Sequence, residues 1–312
     1  MRLNKPKFWT STRFSLWSIL LYPISILFLF ITYLRSAKAR LKLSKKFSIP
    51  VICVGNIYLG GTGKTPLASE IFEIIKSFGK NPGFVKKYYT YLEDEIEMLK
   101  KIGKTFISKN RSEAIKSLME NGNDVAILDD GFQDFSIKKD FSILCFNQKQ
   151  WIGNGFVIPS GPLREGLSAL KRADCVVING PKDINIENEI YKKNKHIKLF
   201  YSIYKPLNID EFKNKKIIAF SGIGNPSNFF HLLKENHISL LEEIVYPDHY
   251  NFSKVELDVL IKKANDNNAT LLTTEKDYLR INSSFKKNIK YLIIKLEMEN
   301  KNNFIEQIKK IL

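Results

Sequence analysis

The sequence has few cysteines, and it has no acidic residue before Glu70. Cys53, Cys145 and Cys175 all lie in apolar runs typical of strands, and the chain contains neither a CxxC pair nor a Cys/His cluster. This pattern does not indicate a zinc site or a disulfide framework. Buried free thiols in a reducing compartment are the expected state. The chain also lacks internal repeats, and its 312 residues are enough for one large domain or two modest ones.

Acidic residues are outnumbered by basic ones, 32 to 49, which gives a formal net charge of +17. A basic protein suits nucleic acid, anionic lipid or phosphorylated substrates, and the charge alone does not choose among them. The excess is concentrated at the N-terminus beside an apolar segment, so it favours anionic lipid, and we expect no nucleic-acid partner. The first 50 residues hold no acid and ten basic residues, namely Arg2, Lys5, Lys7, Arg13, Arg35, Lys38, Arg40, Lys42, Lys45 and Lys46.

An uncharged apolar run, Phe14–Leu34, lies between these basic residues. Its 21 residues are about the length needed to cross the core of a bilayer, and Trp17 and Tyr33 are rings of the kind found at membrane interfaces. A cleaved signal peptide, a buried core helix and a membrane anchor are the alternatives. Pro23 and the positive charge on both sides favour a helix that contacts membrane lipids from the cytoplasmic leaflet, with a spanning helix as the other form of anchor.

Short apolar strands alternate with helices after this run. Ile49–Val54 leads into a glycine-rich turn, and a helix follows over Pro66–Phe78 with apolar residues at helical spacing. Such alternation predicts βαβ units, and hence an α/β fold with a parallel sheet flanked by helices and functional loops at the carboxyl ends of the strands. We predict a membrane-anchoring segment over 1–46, a P-loop domain over 47–205 and a smaller C-terminal α/β lobe over 206–312.

The glycine-rich turn has the pattern of a P-loop. Glycines let backbone N–H groups turn toward phosphate oxygens, and the N-terminus of the following helix adds positive charge. In such a loop the lysine reaches the β- and γ-phosphates and the threonine ligates Mg²⁺, so we predict ATP and Mg²⁺ as cofactors and a P-loop NTPase-type sheet. Tyr58 departs from the strict pattern, which has glycine there, and a chance glycine turn is the alternative. The residues of the turn are Gly60, Gly61, Thr62, Gly63, Lys64 and Thr65.

Three other polar groups follow strands or turns. Asp129 and Asp130 end an apolar strand, where a P-loop protein places a metal-binding acid, although a solvated turn has the same pattern. His249 follows an aspartate and is a candidate base, an orienter of a base, or a loop residue. Arg164 and Glu165 follow a tight turn, and the arginine either neutralises a transferring phosphoryl group or forms a surface ion pair.

The ordered set of motifs resembles the tetraacyldisaccharide 4'-kinases, the lipid A kinases of Gram-negative bacteria. The resemblance extends from the apolar run to about residue 280, and as a set it is highly specific. The motifs are, in order, Val54-Gly55-Asn56, Gly60 to Pro66, Asp94-Glu95, Asp129-Asp130-Gly131-Phe132-Gln133, Gly153-Asn154-Gly155, Pro159 to Glu165, Arg172-Ala173-Asp174, Ala219 to Pro226, Pro247-Asp248-His249 and Thr274-Glu275-Lys276-Asp277.

The resemblance implies transfer of the γ-phosphate of ATP to the 4'-hydroxyl of a tetraacylated glucosamine disaccharide 1-phosphate, a lipid A precursor. It implies an enzyme at the cytoplasmic face of the bacterial inner membrane, and we expect a monomer. Asp94 corresponds to the catalytic base and His249 to the histidine paired with it, while Lys64 and Arg164 correspond to further catalytic residues. The residues that correspond to the metal surroundings are Thr65, Asp130, Gln133 and Glu165.

One segment departs from the family pattern, which has Ser-Arg-Gly-Tyr-Gly after the second strand and then Gly-Asp-Glu-Pro. This chain has Lys86-Lys87-Tyr88-Tyr89 and, after a shortened connection, Glu93-Asp94-Glu95-Ile96. The glycines are absent, so we expect a different loop geometry. Glu93 and Glu95 are therefore alternatives to Asp94 as the base.

Two other functions agree with the P-loop. A phosphotransferase acting on a nucleotide or a small metabolite is one, but a soluble substrate does not require a membrane segment. A P-loop ATPase or GTPase switch that recruits partners to the membrane is the other, and the absence of an Asn-Lys-x-Asp guanine-binding motif weakens its GTPase form. Transfer of labelled γ-phosphate to a lipid would distinguish the lipid kinase from both.

Overall fold

The computed structural model describes residues 6–10, 15–41, 44–89 and 93–312. Phe14 and the basic residues Arg2, Lys5, Arg13 and Lys42 lie outside the described residues. The strands, in chain order, are β1 (Val51–Gly55), β2 (Pro82–Lys87), β3 (Thr105–Ser108), β4 (Val125–Asp129), β5 (Phe141–Asn147), β6 (Cys175–Asn179), β7 (Lys198–Pro206), β8 (Lys216–Ser221), β9 (Ser239–Val245), β10 (Thr270–Thr274), β11 (Ile289–Leu292) and β12 (Ile294–Met298). The α-helices are α1 (Leu16–Leu41), α2 (Lys64–Ser77), α3 (Glu93–Ile102), α4 (Arg111–Glu120), α5 (Ile184–Lys193), α6 (Pro226–Glu235), α7 (Lys254–Asp266), α8 (Glu275–Arg280) and α9 (Lys301–Lys309).

The chain forms two compact units, and neither is a continuous segment. The described residues of the larger unit lie within Lys5–Tyr88, Leu99–Ile203 and Leu296–Leu312, and those of the smaller unit lie within Tyr89–Met98 and Tyr204–Lys295. The boundaries 1–46, 47–205 and 206–312 stay predictions from the sequence. The backbone N–H of Glu299 donates to the carbonyl of Tyr201 at 3.0 Å, which ties the C-terminal segment to β7 in the larger unit.

The core of the larger unit is an eight-stranded sheet, counted over the described residues, in the order β12-β7-β6-β5-β1-β4-β2-β3. The neighbouring strands from β3 to β7 pair in parallel. Every residue of β1, β4, β5 and β6 is buried, as expected for parallel strands covered on both faces. The predicted parallel sheet flanked by helices is confirmed.

The three cysteines lie in this sheet. Cys53, Cys145 and Cys175 are free and fully buried, as predicted. Burial disfavours the thiolate and raises the pKa of Cys53 to about 11 and that of Cys145 to about 12. These thiols therefore serve as small core side chains.

In the N-terminal helix α1, two serines are buried and large apolar side chains are exposed, which is the reverse of a helix in a protein core. Ser18 and Ser25, seven positions apart and so on one face, are 1% and 2% exposed, whereas Leu20 and Leu27 are 68% and 58% exposed. The hydroxyl of Ser25 donates to the carbonyl of Val157 at 2.8 Å. Within the described residues, one stretch, Leu16–Lys38, is long and apolar enough to cross a membrane by length and composition, with a window of mean hydropathy 2.0.

The smaller unit contains a second parallel sheet, ordered β11-β10-β8-β9. Apolar side chains of the unit form clusters around residues of β8 and β10. The carboxyl ends of these two central strands are joined by Asp277, which is fully buried at the start of α8. Its Oδ2 accepts hydrogen bonds from the hydroxyl groups of Ser221 and Thr274 at 3.0 and 2.7 Å.

Candidate active site

The P-loop of the larger unit connects β1 to α2. The side chain of the buried Asn56 holds the turn together, because its Nδ2 donates to the carbonyl of Tyr58 at 2.7 Å and to the hydroxyl of Thr62 at 3.0 Å. Gly60 and Gly63 have φ values of 121° and 95°, which favour glycine. Lys64 is the first residue of α2, so the turn ends at a helix N-terminus, as a phosphate site requires.

Tyr58, the departure from the strict P-loop pattern, is fully buried in a small apolar cluster with Val157 and Leu163. The segment beside it pairs with the turn that carries Arg164, since the backbone N–H of Arg164 donates to the carbonyl of Ile57 at 2.7 Å. The aromatic ring therefore fills space between the P-loop and the Arg164 segment. This packing explains why the glycine of the strict pattern is not needed here.

The two acids after β4 have different partners. β1 pairs with β4 so that Val54 is level with Asp129, and the hydroxyl of Thr65 donates to Asp129 Oδ2 at 3.2 Å. Asp130 instead receives two hydrogen bonds from Arg164 Nη1 at 3.0 and 3.1 Å. The structure thus brings Asp129, rather than the predicted Asp130, into contact with the threonine of the P-loop.

Asp130 lies among the cations of the P-loop region. Its Oδ2 is 3.9 Å from the Nζ atom of Lys64. Burial acts to raise the pKa of Asp130, but the charges of Lys64, Arg164 and Lys86 outweigh it, so the pKa lies below the ordinary aspartate value. The carboxylate therefore stays ionised at neutral pH and links two of the predicted catalytic residues.

Gln133 and Glu165, predicted for the metal surroundings, have other contacts. Gln133 Nε2 donates to the carbonyl of Asn56 at 2.8 Å, so this side chain supports the strand end that precedes the P-loop. Glu165 Oε2 forms an ion pair with Arg172 at 2.7 Å. Both contacts are within the larger unit, and neither joins these side chains to Thr65.

The oxygens around Thr65 fit a magnesium ion. Asp129 is fully buried, and its Oδ1 has no hydrogen-bond partner among the described residues. A buried carboxylate oxygen with unused lone pairs costs free energy unless something binds it. Mg²⁺ prefers carboxylate and hydroxyl oxygens and keeps several waters, so Thr65 and Asp129 form a suitable pair of protein ligands.

The predicted base, Asp94, lies in the smaller unit at the start of α3. Its side chain is 1% exposed, and its Oδ2 is 3.4 Å from His249 Nδ1 and 3.2 Å from Arg280 Nε. Lys276 Nζ is 3.8 Å from the same oxygen. The structure therefore brings Asp94 and His249 together, as the motif order predicted.

The charges around Asp94 determine its ionisation. Burial acts to raise its pKa, but the contact with His249 and the charges of Lys276 and Arg280 outweigh it and lower the pKa below the ordinary value. Of the two alternative carboxylates, Glu93 is exposed, and Glu95 Oε1 forms an ion pair with Lys276 at 2.8 Å. Asp94, rather than Glu93 or Glu95, is the carboxylate that the structure places beside His249.

His249 is held by the backbone as well as by Asp94. It has a positive φ of 56°, and its N–H donates to the carbonyl of Gly222 at 3.0 Å. Both Nη atoms of Arg280 donate to the same carbonyl at 3.2 Å, and Arg280 Nη2 is 3.0 Å from Asp277 Oδ1. Arg280 thus connects Asp94, Asp277 and the loop that carries His249.

Sequence reasoning did not assign roles to Asn56, Lys86 or Arg280. The spacing of Arg280 three residues after Asp277 on a short helix was a usable signal for their ion pair. The role of Asn56 was not visible, because its partners are backbone carbonyls of a non-helical turn. Lys86 pairs with Asp129, and strand register, which sets this pair, is not encoded locally.

The fold and the P-loop define a P-loop phosphotransferase. Residues 17–312 match the family of tetraacyldisaccharide-1-P 4'-kinases, LpxK, and the chain belongs to this family. The family predicted from the motif order is therefore confirmed.

Named relatives support the same assignment over the whole length. The tetraacyldisaccharide 4'-kinase of Pelagibacter ubique is 43% identical over 314 residues, with 100% of this chain and 99% of the relative aligned. That of Rickettsia canadensis is 37% identical over 332 residues, with 99% and 97% aligned. The solved structure of an "apo" form of LpxK from Aquifex aeolicus in complex with ATP has a TM-score of 0.72 and 26% identity, with 94% of this chain and 99% of that chain covered.

Proposed function

We propose that this chain transfers the γ-phosphate of ATP to the 4'-hydroxyl of a tetraacylated glucosamine disaccharide 1-phosphate, a late step of lipid A biosynthesis. The observation that carries the proposal is the contact of Thr65, at the start of α2, with the acid that ends β4. A P-loop threonine and such an acid are the metal-binding pair of P-loop phosphotransferases. Membership of the family supplies the acceptor.

Lys64 and Arg164 bind the transferring phosphoryl group in this proposal. Both are already paired with Asp130, at 3.9 and 3.0 Å. Positive charge fixed before the reaction stabilises the charge that develops on the phosphoryl oxygens without reorganisation. The glycine turn from Gly60 to Gly63 supplies backbone N–H donors for the other phosphates.

Thr65 and Asp129 are the residues that would hold Mg²⁺. When bound, the ion neutralises charge on the β- and γ-phosphate oxygens. This assignment moves the acid from Asp130, as predicted from the sequence, to Asp129, because Asp129 contacts Thr65 and has a buried oxygen without a hydrogen-bond partner among the described residues. Asp130, Gln133 and Glu165 stay predictions for the surroundings of the metal.

Asp94 accepts the proton of the acceptor hydroxyl, and His249 orients it. A carboxylate that is ionised at neutral pH can take this proton, and its lowered pKa keeps it ionised. Contacts with His249, Lys276 and Arg280 restrict the orientation of the carboxylate. The proposed base belongs to the smaller unit, and the P-loop belongs to the larger unit.

Helix α1 attaches the enzyme to the membrane that contains its acceptor. Its exposed face is apolar over several turns, and the N-terminal region is strongly basic, which together favour the anionic cytoplasmic leaflet. We therefore place the enzyme at the cytoplasmic face of the bacterial inner membrane. A monomer stays a prediction from the sequence.

Replacement of the P-loop lysine tests the phosphate site. Lys64→Ala should lower kcat/KM by about 100-fold or more, because it removes a cation that acts in the transition state. The measurement is transfer of radiolabelled γ-phosphate from ATP to a lipid A disaccharide 1-phosphate precursor. Lys76→Ala, in the last turn of the same helix, is the matched control and should retain wild-type transfer. Hydrolysis of ATP without any labelled lipid would refute the kinase assignment.

Replacement of the proposed base tests the acceptor site. Asp94→Asn should lower kcat by roughly 10²- to 10⁴-fold, the usual contribution of general base catalysis, while ATP binding persists. The exposed neighbour Glu93 supplies the control, Glu93→Gln, which should keep the wild-type kcat. Near-normal turnover of Asp94→Asn, with loss in Glu93→Gln, would assign the base to Glu93 instead.

A further inference from the structure

Lys86 is a buried lysine in the P-loop unit. It lies on β2, its side chain is 2% exposed, and its Nζ binds Asp129 Oδ2, which belongs to a fully buried carboxylate. Lysine is almost never fully buried unless it is paired, because removing its charge from water is costly.

The strand register explains why this charge lies at the phosphate site. β2 pairs with β4 so that Val85 is level with Leu128, which makes Lys86 level with Asp129. The oxygen that Lys86 binds, Asp129 Oδ2, also accepts the hydroxyl of Thr65. The ammonium group of Lys86 and the hydroxyl of Thr65 therefore both bind the same oxygen of the Asp129 carboxylate.

Three cations lie beside the two acids of this region. Asp130 has Lys64 and Arg164 as its cations, and Asp129 has Lys86. Together these groups carry a net positive charge before any metal binds, whereas without Lys86 their charges would cancel. A polyphosphate approaching the P-loop is therefore attracted even when Asp129 is not neutralised by a divalent cation.

We propose that Lys86 is a resident cation of the nucleotide site, which neutralises Asp129 and reduces the dependence of nucleotide binding on Mg²⁺. The proposal rests on the proposed function, since it takes the P-loop as the site of ATP. Mg²⁺ is still needed for the transfer reaction. Asp129 Oδ1, which Lys86 does not bind, is the oxygen available to it. Lys86 acts through electrostatics on the affinity for the polyphosphate and is not a catalytic residue.

The test measures binding rather than turnover. The dissociation constant for ADP is determined by calorimetry on the detergent-solubilised full chain, once with excess Mg²⁺ and once with EDTA. The readout is the dissociation constant in EDTA divided by the dissociation constant in Mg²⁺. In Lys86→Ser we expect this ratio to rise by about tenfold or more, the effect of one unit charge several ångströms from the phosphates. Lys86→Arg should keep a ratio near that of the wild type, because it keeps the charge.

A matched control is provided by the next residue. Lys87 follows Lys86 on β2 and so points to the opposite face of the sheet. Lys87→Ser removes the same charge from the chain and should leave the ratio unchanged. A ratio that is the same in Lys86→Ser and the wild type, with ADP still bound in Mg²⁺, overturns the proposal and leaves Lys86 as a structural partner of Asp129.

The wild-type chain keeps the proposal falsifiable if Lys86→Ser does not fold. The wild-type ratio should then be small, and a loss of ADP affinity of more than about 100-fold in EDTA overturns the proposal, because the charge of Lys86 would then fail to compensate for the missing Mg²⁺. Absence of ADP binding even in Mg²⁺ would instead contradict the proposed function. The two failures are therefore distinguishable.

Discussion

Asp94 shows how a buried acid can remain a usable base. Three cationic or hydrogen-bonding partners surround it, and Arg280 among them also binds Asp277 and the carbonyl of Gly222. Arg280 therefore compensates the charge of the Asp94 carboxylate, and Arg280 is itself held in place by Asp277 and Gly222 of the smaller unit. Removing the charge should affect stability as well as turnover.

The stability effect of Asp94 should depend on pH. Its pKa is lowered in the folded chain, so the ionised form stabilises the fold above the ordinary aspartate pKa, and this contribution is lost as the pH falls through the lowered value. Asp94→Asn should reduce the free energy of unfolding by about 1–3 kcal/mol at pH 7, with a smaller difference from the wild type below about pH 4. Thermal unfolding followed by circular dichroism at a series of pH values measures this.

The exposed acid Asp258 on α7 provides the control. Asp258→Asn should change the midpoint little at any pH, since an exposed side chain has few interactions to lose. A stability difference between Asp94→Asn and the wild type that stays constant from pH 7 to pH 3 would contradict an ionised, stabilising Asp94.

Residues with local motifs were predictable, and residues defined by register were not. Lys64 and Thr65 belong to a short pattern whose chemistry follows from residue type and spacing, whereas the roles of Asp94 and His249 were implied by the family resemblance. The preference of Thr65 for Asp129 over Asp130 depends on which of two consecutive side chains turns toward α2. Asp130 has a positive φ of 59°, a backbone feature that could not be predicted from the sequence.

Among the elements, α1 is unusual because two of its polar residues, Ser18 and Ser25, are buried while large apolar side chains are exposed. Ser25 accepts the N–H of Ser160 at 3.0 Å and donates to the carbonyl of Val157 at 2.8 Å. Asn154 Nδ2 donates to the hydroxyl of Ser18 at 3.1 Å, two turns earlier on the same face of α1. The helix is thus attached to the rest of the larger unit by these hydrogen bonds as well as by apolar contacts, such as the edge-to-face contact of Tyr22 with Phe156.

Ser25→Ala should weaken this attachment. The substitution leaves the N–H of Ser160 without its partner in a buried position and removes the hydrogen bond to the carbonyl of Val157, which should cost about 1–3 kcal/mol of unfolding free energy. Chemical unfolding in detergent measures the change. Thr32→Ala, which removes a hydroxyl that bonds only within α1 at Leu29 among the described contacts, should cost about 0.5 kcal/mol or less. Equal costs for the two variants would contradict the attachment.

At the scale of the whole molecule, the sequence predicted the α/β architecture but not the exchange of segments between its units. Alternating strands and helices are visible in local patterns, and the central sheet follows from them. The return of Leu296–Leu312 to the larger unit depends on pairing at the edge of the sheet with β7, whose partner lies about a hundred residues away in the chain. No local pattern specifies such a pairing.

Membrane attachment is the property of the whole molecule that can be tested most directly. The double substitution Leu20→Glu and Leu27→Glu puts two charges on the exposed face of α1 and should abolish binding, since each charge costs about 3 kcal/mol in the bilayer centre. The measurement is sedimentation of the full chain with phosphatidylglycerol vesicles. Leu207→Glu, at a leucine that is 57% exposed in the smaller unit, should bind as the wild type does. Binding by the double variant would leave the basic N-terminus as the attachment.

The three buried thiols can report the opening of the central sheet in each of the variants described above. A thiol with a raised pKa and no access to water does not react with alkylating reagents, because the thiolate is the reactive form. Each of these cysteines sits on a central strand of one sheet, so labelling requires that sheet to open. The rate at which the chain takes up label therefore reports how often its central sheet opens, and no cysteine has to be introduced to measure it.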